Sequence, residues 1–313
     1  MKKEILEMLI CPVCLPEERD LNPHIKEEEK NDILEGFLSC THCGREYPIQ
    51  NGIAFLDPSS PHTTQTTPSK YEDASVLSSY MWSHYGDLLN EENASAAYRD
   101  WNDLMRPLPG MAIDAGSAVG RFTFELGQKC DFAIGIDNSL SFIRTARELM
   151  LTREKEIQLQ QEGLVTRKAT VTLPKTWKSG NTEFLVGDAQ RLPFKSCVFS
   201  SLASLNLVDK VPKPLKHLEE MNRVAKPEQA QFLFSDPFSW SEEVTESENW
   251  LGGTHEGAYS GSGVENVMGI LNGKKTGLQP QWNIEKNGHI WWKIRTHQNH
   301  FELIRSCFVK ANR

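Results

Sequence analysis

The sequence predicts an α/β protein: a Rossmann-like, mostly parallel sheet of seven strands, preceded by a small cysteine-rich unit. Three observations carry this. A short apolar run, Met111–Ile113, leads through Asp114 into a small-residue turn, Gly116-Ser-Ala-Val-Gly120, and then into a helical pattern with Phe122, Phe124 and Leu126. A strand feeding a glycine turn and a helix is the first half of a nucleotide-binding βαβ unit. Two further apolar runs end in an acid, Phe132–Asp137 and Phe184–Asp188. Four cysteines fall in two C-x-x-C pairs, Cys11/Cys14 and Cys40/Cys43.

Composition bounds the rest. A chain of 313 residues accommodates one full α/β domain and a small extra one. The formal net charge of −8 gives no general attraction to phosphate backbones, which counts against nucleic acid as a partner. No apolar run approaches the roughly 20 residues of a membrane span, so no membrane partner is expected. The opening Met-Lys-Lys-Glu-Ile-Leu-Glu is charged on both sides of its few apolar residues, unlike a signal peptide. Paired cysteines in such a chain point to metal rather than disulfides, and to a cytoplasmic location.

Residues 1–56 form the first unit. Each C-x-x-C knuckle presents two thiolates to one face of an ion, and four thiolates suit a closed structural Zn²⁺ site held by Cys11, Cys14, Cys40 and Cys43. Iron is the alternative for four thiolates. His24 and His42 lie nearby, but four cysteines already fill a tetrahedron, so both are expected in solvent. Leu9-Ile-Cys-Pro-Val-Cys14 and the run Leu38–Leu56, with its tail Tyr47-Pro-Ile-x-x-Gly-Ile, resemble the zinc-ribbon family that activates tRNA and protein methyltransferases. The resemblance implies a docking or stabilising ribbon, not chemistry. Residues 57–75, polar and punctuated by proline, read as a linker. Residues 76–106 read as helices carrying Tyr80, His84, Tyr85, Tyr98 and Trp101; the resemblance to methyltransferase-associated proteins implies that such a lead-in folds over the ligand as a lid.

The glycine spacing narrows the ligand. A dinucleotide loop, G-x-G-x-x-G, would need glycine at Ala118 and Arg121. Asp114-x-Gly116-x-x-x-Gly120 instead resembles motif I of the class I S-adenosylmethionine (SAM) methyltransferases, with Ala118 in place of the middle glycine. Asp137 lies one βαβ step further on, where a carboxylate can accept both ribose hydroxyls. The resemblance implies that Asp188 reaches the adenine amino group and the Ala189 amide the ring. Asn138 and Ser139 can cap the next helix. Residues 151–181 form an insert long enough for a hairpin, with strand-like alternation over 168–173. Leu202–Asp209 reads as the fourth strand and its exit, with Asn206 and Asp209 at the edge where the methyl group should sit. An amphipathic helix over 214–225, a fifth strand over 231–236 and a closing antiparallel pair, 289–296 with 301–310, complete the sheet. Arg121, or an aromatic residue of the 76–106 lead-in, is a candidate for the methionine end of SAM. The candidate cofactor-binding set is therefore Asp114, Gly116, Ser117, Gly120, Arg121, Asp137, Asn138, Asp188, Ala189 and Asn206.

The segment Asp236–Gly253 pairs aromatic residues, Trp240 and Trp250 among them, with carboxylates and a Gly-Gly flex point, which suits the wall of a site for a polar or cationic small molecule. With Gly116-Ser-Ala-Val-Gly-Arg, Gly135-Ile-Asp-x-Ser139 and Asn206-Leu-Val-Asp209, it resembles the C-terminal methyltransferase domain of the ovothiol-synthesising enzymes, which N-methylate a thiohistidine imidazole. Ser117 stands where those enzymes usually have Cys, and a ribbon stands in place of their sulfoxide-synthase region. The expectation is a methyltransferase for a small imidazole or thiol compound, with Asp209 or His84 orienting the acceptor. A protein or tRNA methyltransferase recruited through the ribbon, and a SAM-binding scaffold without turnover, are the alternatives.

Overall fold

The computed structural model describes residues 1–58, 70–275 and 277–313, so most of the linker expected over 57–75 lies outside the described residues. The ribbon contributes β1 (Leu21–Glu29), β2 (Asp32–Cys40), β3 (Glu46–Gln50) and β4 (Ile53–Leu56). Two helices follow, α1 (Ala74–Tyr85) and α2 (Ala97–Asp103), where the lid was expected. The βα alternation then runs β5 (Met111–Ala115), α3 (Arg121–Leu126), β6 (Phe132–Asp137) and α4 (Leu140–Thr152). The insert folds as the hairpin β7 (Glu154–Glu162) and β8 (Val165–Thr172). After it come β9 (Thr182–Gly187), β10 (Phe199–Leu205), α5 (Pro214–Val224) and β11 (Gln231–Asp236). The last elements are α6 (Gly263–Leu271) and the long pair β12 (Asn283–His297) and β13 (His300–Asn312).

Strands β9, β10 and β11 are buried at every position, as strands covered on both faces must be. The order β9-β6-β5-β10-β11-β13-β12, with β13 alone antiparallel to its neighbours, is the seven-stranded sheet of class I methyltransferases. Local chemistry starts α4 and α5. The Ser139 hydroxyl accepts from the Phe142 amide at 3.2 Å and caps α4. Pro214 opens α5, where its missing N–H costs nothing. The fourth strand ends at Leu205 and its exit carries Asp209: Asn206 turns left-handed (φ 56°), and Val208–Lys210 form a 3-10 turn. Among the described residues, no helix is long and apolar enough to cross a membrane.

The ribbon is built onto this sheet. β4 pairs in parallel with β9, Phe55 opposite Val186 and Leu56 opposite Gly187, so the ribbon strands extend the sheet to eleven. Leu9, Leu38, Tyr47 and Leu56 share one core with Leu185, Leu192 and Phe194. A buried charge cluster reinforces the seam. Arg147 of α4 pairs with Glu183 of β9 at 3.0 Å and also with Asp32 of β2. Its guanidinium lies against Gly52, where a Cβ would overlap it.

Candidate cofactor and acceptor cavity

The metal centre needs only the ribbon. Cys11 and Cys14 lie before β1, Cys40 ends β2, and Cys43 sits in the turn to β3. Their four Sγ atoms lie within 4.8 Å of one another, with Cys11–Cys43 and Cys14–Cys40 separations of 3.7 Å. A tetrahedron with Zn–S bonds of about 2.3 Å has edges of about 3.8 Å, so the thiols already stand at ligand spacing. None of them is in a disulfide. The Tyr47 hydroxyl lies 3.1 Å from Cys11 Sγ and braces that knuckle. His24 stacks on Phe37 in an exposed position and His42 is exposed, and neither belongs to the four-cysteine ligand group.

A cavity of about 680 Å³ opens at the C-terminal ends of the parallel strands, which is where open α/β sheets place ligands. Asp114, Gly116, Ser117, Asp137, Asn138, Asp188, Ala189 and Asn206 all line it, so eight of the ten candidate cofactor residues converge there. Burial pushes Asp114 up to about 7, although the Thr123 hydroxyl donates to it at 2.8 Å. Burial likewise pushes Asp137 up to about 6, against backbone donations from Ala118 and Ser139 at 2.9 Å each. At Gly116 (φ 76°) a side chain would be strained by the backbone conformation, and a Cβ would press on the Leu207 methyl groups at 2.9 Å. Asn206 accepts from Ser306 at 2.6 Å, and Ser306 in turn accepts from Trp292 at 2.9 Å.

Two candidates stand outside the cavity. The Arg121 guanidinium is 2% exposed and already saturated: it pairs with Asp87 and Glu125 at 2.7 Å and donates to the His84 carbonyl at 2.7 Å. Gly120 (φ 84°) acts through packing, since a Cβ there would lie 2.7 Å from Phe184 and 2.8 Å from Ala146. Of the two residues expected to orient the acceptor, Asp209 is also outside. It is fully buried, pairs with Lys210 at 3.1 Å, and accepts from the Ser239 amide at 2.9 Å. Burial raises it, and the fully buried Asp236 stands beside it. His84 does line the cavity, with Nε2 at 2.6 Å from the Tyr98 hydroxyl. Burial and the Arg121 charge hold it well below the usual imidazole range, so the ring is neutral. Tyr85 points away and donates to the Val119 carbonyl at 2.8 Å.

The 236–253 segment departs from expectation. Only Pro237 and Ser239 of it reach the cavity; Trp240 stacks on Trp250 and packs on the core instead. The far wall comes from the closing strands, through Trp292, Ile294, Thr296, Glu302 and Ile304. Sequence reading had placed those strands but gave their side chains no role. It also missed His217 on α5. This buried ring donates from Nδ1 to the Ala189 carbonyl at 3.0 Å and accepts from Ser204 at 2.8 Å, which fixes the Asp188-Ala189 turn. A lone histidine on an apolar helix face gives no signal of that task.

The family described as Trm112p-like protein matches residues 2–52, and the family described as methyltransferase domain matches residues 113–233. No curated protein matches the chain. Among solved structures, the chain is similar to the complex of the Haloferax volcanii Trm112 methyltransferase activator with a methyltransferase, at 12% identity over 79% of this chain and 100% of that one, TM-score 0.42. It is similar to YcgJ of Bacillus subtilis at 13% identity over 69% and 97%, TM-score 0.43. A SAM-dependent methyltransferase of Methanosarcina mazei aligns at 18% identity over 67% and 94%, TM-score 0.41. The sheet order, the matched domains and the four-cysteine cluster make this chain a SAM-dependent methyltransferase with a Trm112p-like zinc ribbon built onto its sheet.

Proposed function

We propose that the chain methylates a small acceptor through an imidazole nitrogen or a thiol sulfur, in a thiohistidine-like molecule. The observation that supports this is the lining of the cavity. Beside the candidate cofactor residues, α1 and the closing strands supply Tyr80, Trp292, Ile294 and Ile304, aromatic and aliphatic surface suited to packing a ring. Cofactor roles follow the strand order: Asp188 and the Ala189 amide for adenine, Asp137 for the ribose, Asp114 and the Gly116–Ser117 turn for the methionine end. SAM supplies a methyl group already activated on a sulfonium.

The protein's part is therefore to orient the acceptor lone pair and exclude water. A neutral imidazole or a thiolate carries its own lone pair, so no side chain has to remove a proton before transfer. The cavity lining is rich in carboxylates, with Asp114, Asp137, Asp188 and Glu302. That charge disfavours phosphates and suits an acceptor bearing an ammonium group.

The match of residues 2–52 to the Trm112p-like family favours a second reading, a protein or tRNA acceptor recruited by the ribbon. One assay separates the two. The pure protein is incubated with SAM and with histidine, thiohistidine, other thiols or fractionated cell extract, and S-adenosylhomocysteine release is measured. Turnover on an imidazole or thiol compound supports the first reading. Turnover confined to protein or RNA fractions overturns it in favour of the second.

A further inference from the structure

The cavity has a charge problem at its methionine end. SAM carries a carboxylate there, yet carboxylates dominate the lining. Arg121 is bound on both sides by acids, and Lys210 is paired with Asp209 at 3.1 Å. Two buried polar atoms at the cavity have no hydrogen-bond partner among the described residues: His84 Nδ1 and Ser117 Oγ. Orphaned groups of this kind are costly, and a native site satisfies them with a ligand. Ser117 belongs to the glycine turn. His84 is held beside the first turn of α3 because its carbonyl accepts from Arg121 at 2.7 Å.

The Tyr98 hydroxyl settles the imidazole's polarity. It is buried, and His84 Nε2 at 2.6 Å is its recorded partner. If Tyr98 donates its proton to Nε2, the phenol is satisfied and a single orphan remains, an Nδ1–H donor. The opposite tautomer would strand both the phenol proton and the Nδ1 lone pair, two unsatisfied groups instead of one. The first arrangement is favoured.

We propose that His84 binds the cofactor: its Nδ1–H donates to the methionine carboxylate of SAM, with the Ser117 hydroxyl as second donor and Tyr98 as the residue that fixes the donating tautomer. This rests on the cofactor reading above and gives His84 a different task from orienting the acceptor. Asp188, Asp137, Ser117 and His84 of α1 all line the one cavity, so a single ligand can touch all four. Because the ring is neutral, the contact is a hydrogen bond to a charged acceptor, the stronger kind of neutral-donor bond.

The test uses the whole 313-residue chain, zinc-loaded, and two probes that share the adenosyl group, S-adenosylhomocysteine and 5′-methylthioadenosine. Only the first has the amino-acid end. By calorimetry, His84→Ala should weaken S-adenosylhomocysteine at least about tenfold and leave 5′-methylthioadenosine within about twofold, which also shows that the site is folded. His84→Asn, which keeps an N–H near the Nδ1 position, should recover part of the loss. Tyr98→Phe should weaken S-adenosylhomocysteine several-fold and spare the shorter probe. Equal losses for both probes, or none for S-adenosylhomocysteine, would overturn the assignment. A wild-type protein that binds neither probe, or an Asp137→Ala variant that binds both undiminished, would overturn the cofactor reading, and the assignment with it.

Discussion

Asp137 and Asp114 show what a single residue can be made to do by its surroundings. Both face the cavity, and burial raises both, to about 6 and about 7. Their folded values lie above the ordinary carboxylate value, so the folded chain holds protons that the unfolded chain has released. Their share of stability is therefore greatest at acid pH and falls as pH rises toward about 7, levelling off above it. Ligand binding runs the other way, since ribose hydroxyls and an ammonium group favour the ionised acids. S-adenosylhomocysteine should bind more tightly as pH rises through about 6 to 7, with a plateau above; a flat calorimetric profile over that window would remove these acids from the site. His84 stays neutral throughout and adds nothing to the profile. Asp137→Ala should abolish binding of the adenosyl probes while the zinc content, read by atomic absorption, is unchanged. The acids were legible in the sequence because each ends an apolar strand. Arg121 misled because sequence shows a cation's presence and not its partners: Asp87 lies 34 residues away along the chain.

Elements decide more than their propensities suggest. Helix α3 is only six residues long and starts on a left-handed glycine, so its position depends on how tightly it packs on β6 and β9. Gly120→Ala would combine a positive φ with a Cβ pressed against Phe184 and Ala146. The expected cost is about 1–3 kcal/mol, read as a lower urea midpoint with an unchanged slope. No loss of stability would mean that the turn relaxes, and that Gly120 is there for the ligand after all. Helix α4 carries the seam. Arg147→Ala would remove the cation paired with the fully buried Glu183 and leave its carboxylate only the Lys2 and Phe184 amides. Breaking such a pair from one side costs about 3–5 kcal/mol, and chemical denaturation would measure it. Glu183→Gln in the same background should recover part of that loss, because it removes the stranded charge.

At the scale of the molecule, ribbon and catalytic domain are one sheet and one core. Removing the metal should therefore lower the melting temperature of the whole chain in a single transition. A calorimetric trace in which chelation melts the ribbon alone, with the main transition unmoved, would show the two to be independent. The sequence determined the strand-and-acid series, the knuckles, the helices that precede the glycine strand, the insert hairpin and the closing strands, because period, glycine turns and C-x-x-C spacing are local features. Only tertiary structure decided which side chains meet at the cavity. It packed Trp240 against the core with Trp250 stacked on it, buried Asp209, spent Arg121 on Asp87 and Glu125, and brought Trp292 and Ile304 to the far wall. It also joined β4 to β9, a pairing of residues some 130 positions apart. Such choices depend on burial and partner geometry across the sheet, and no local pattern encodes them.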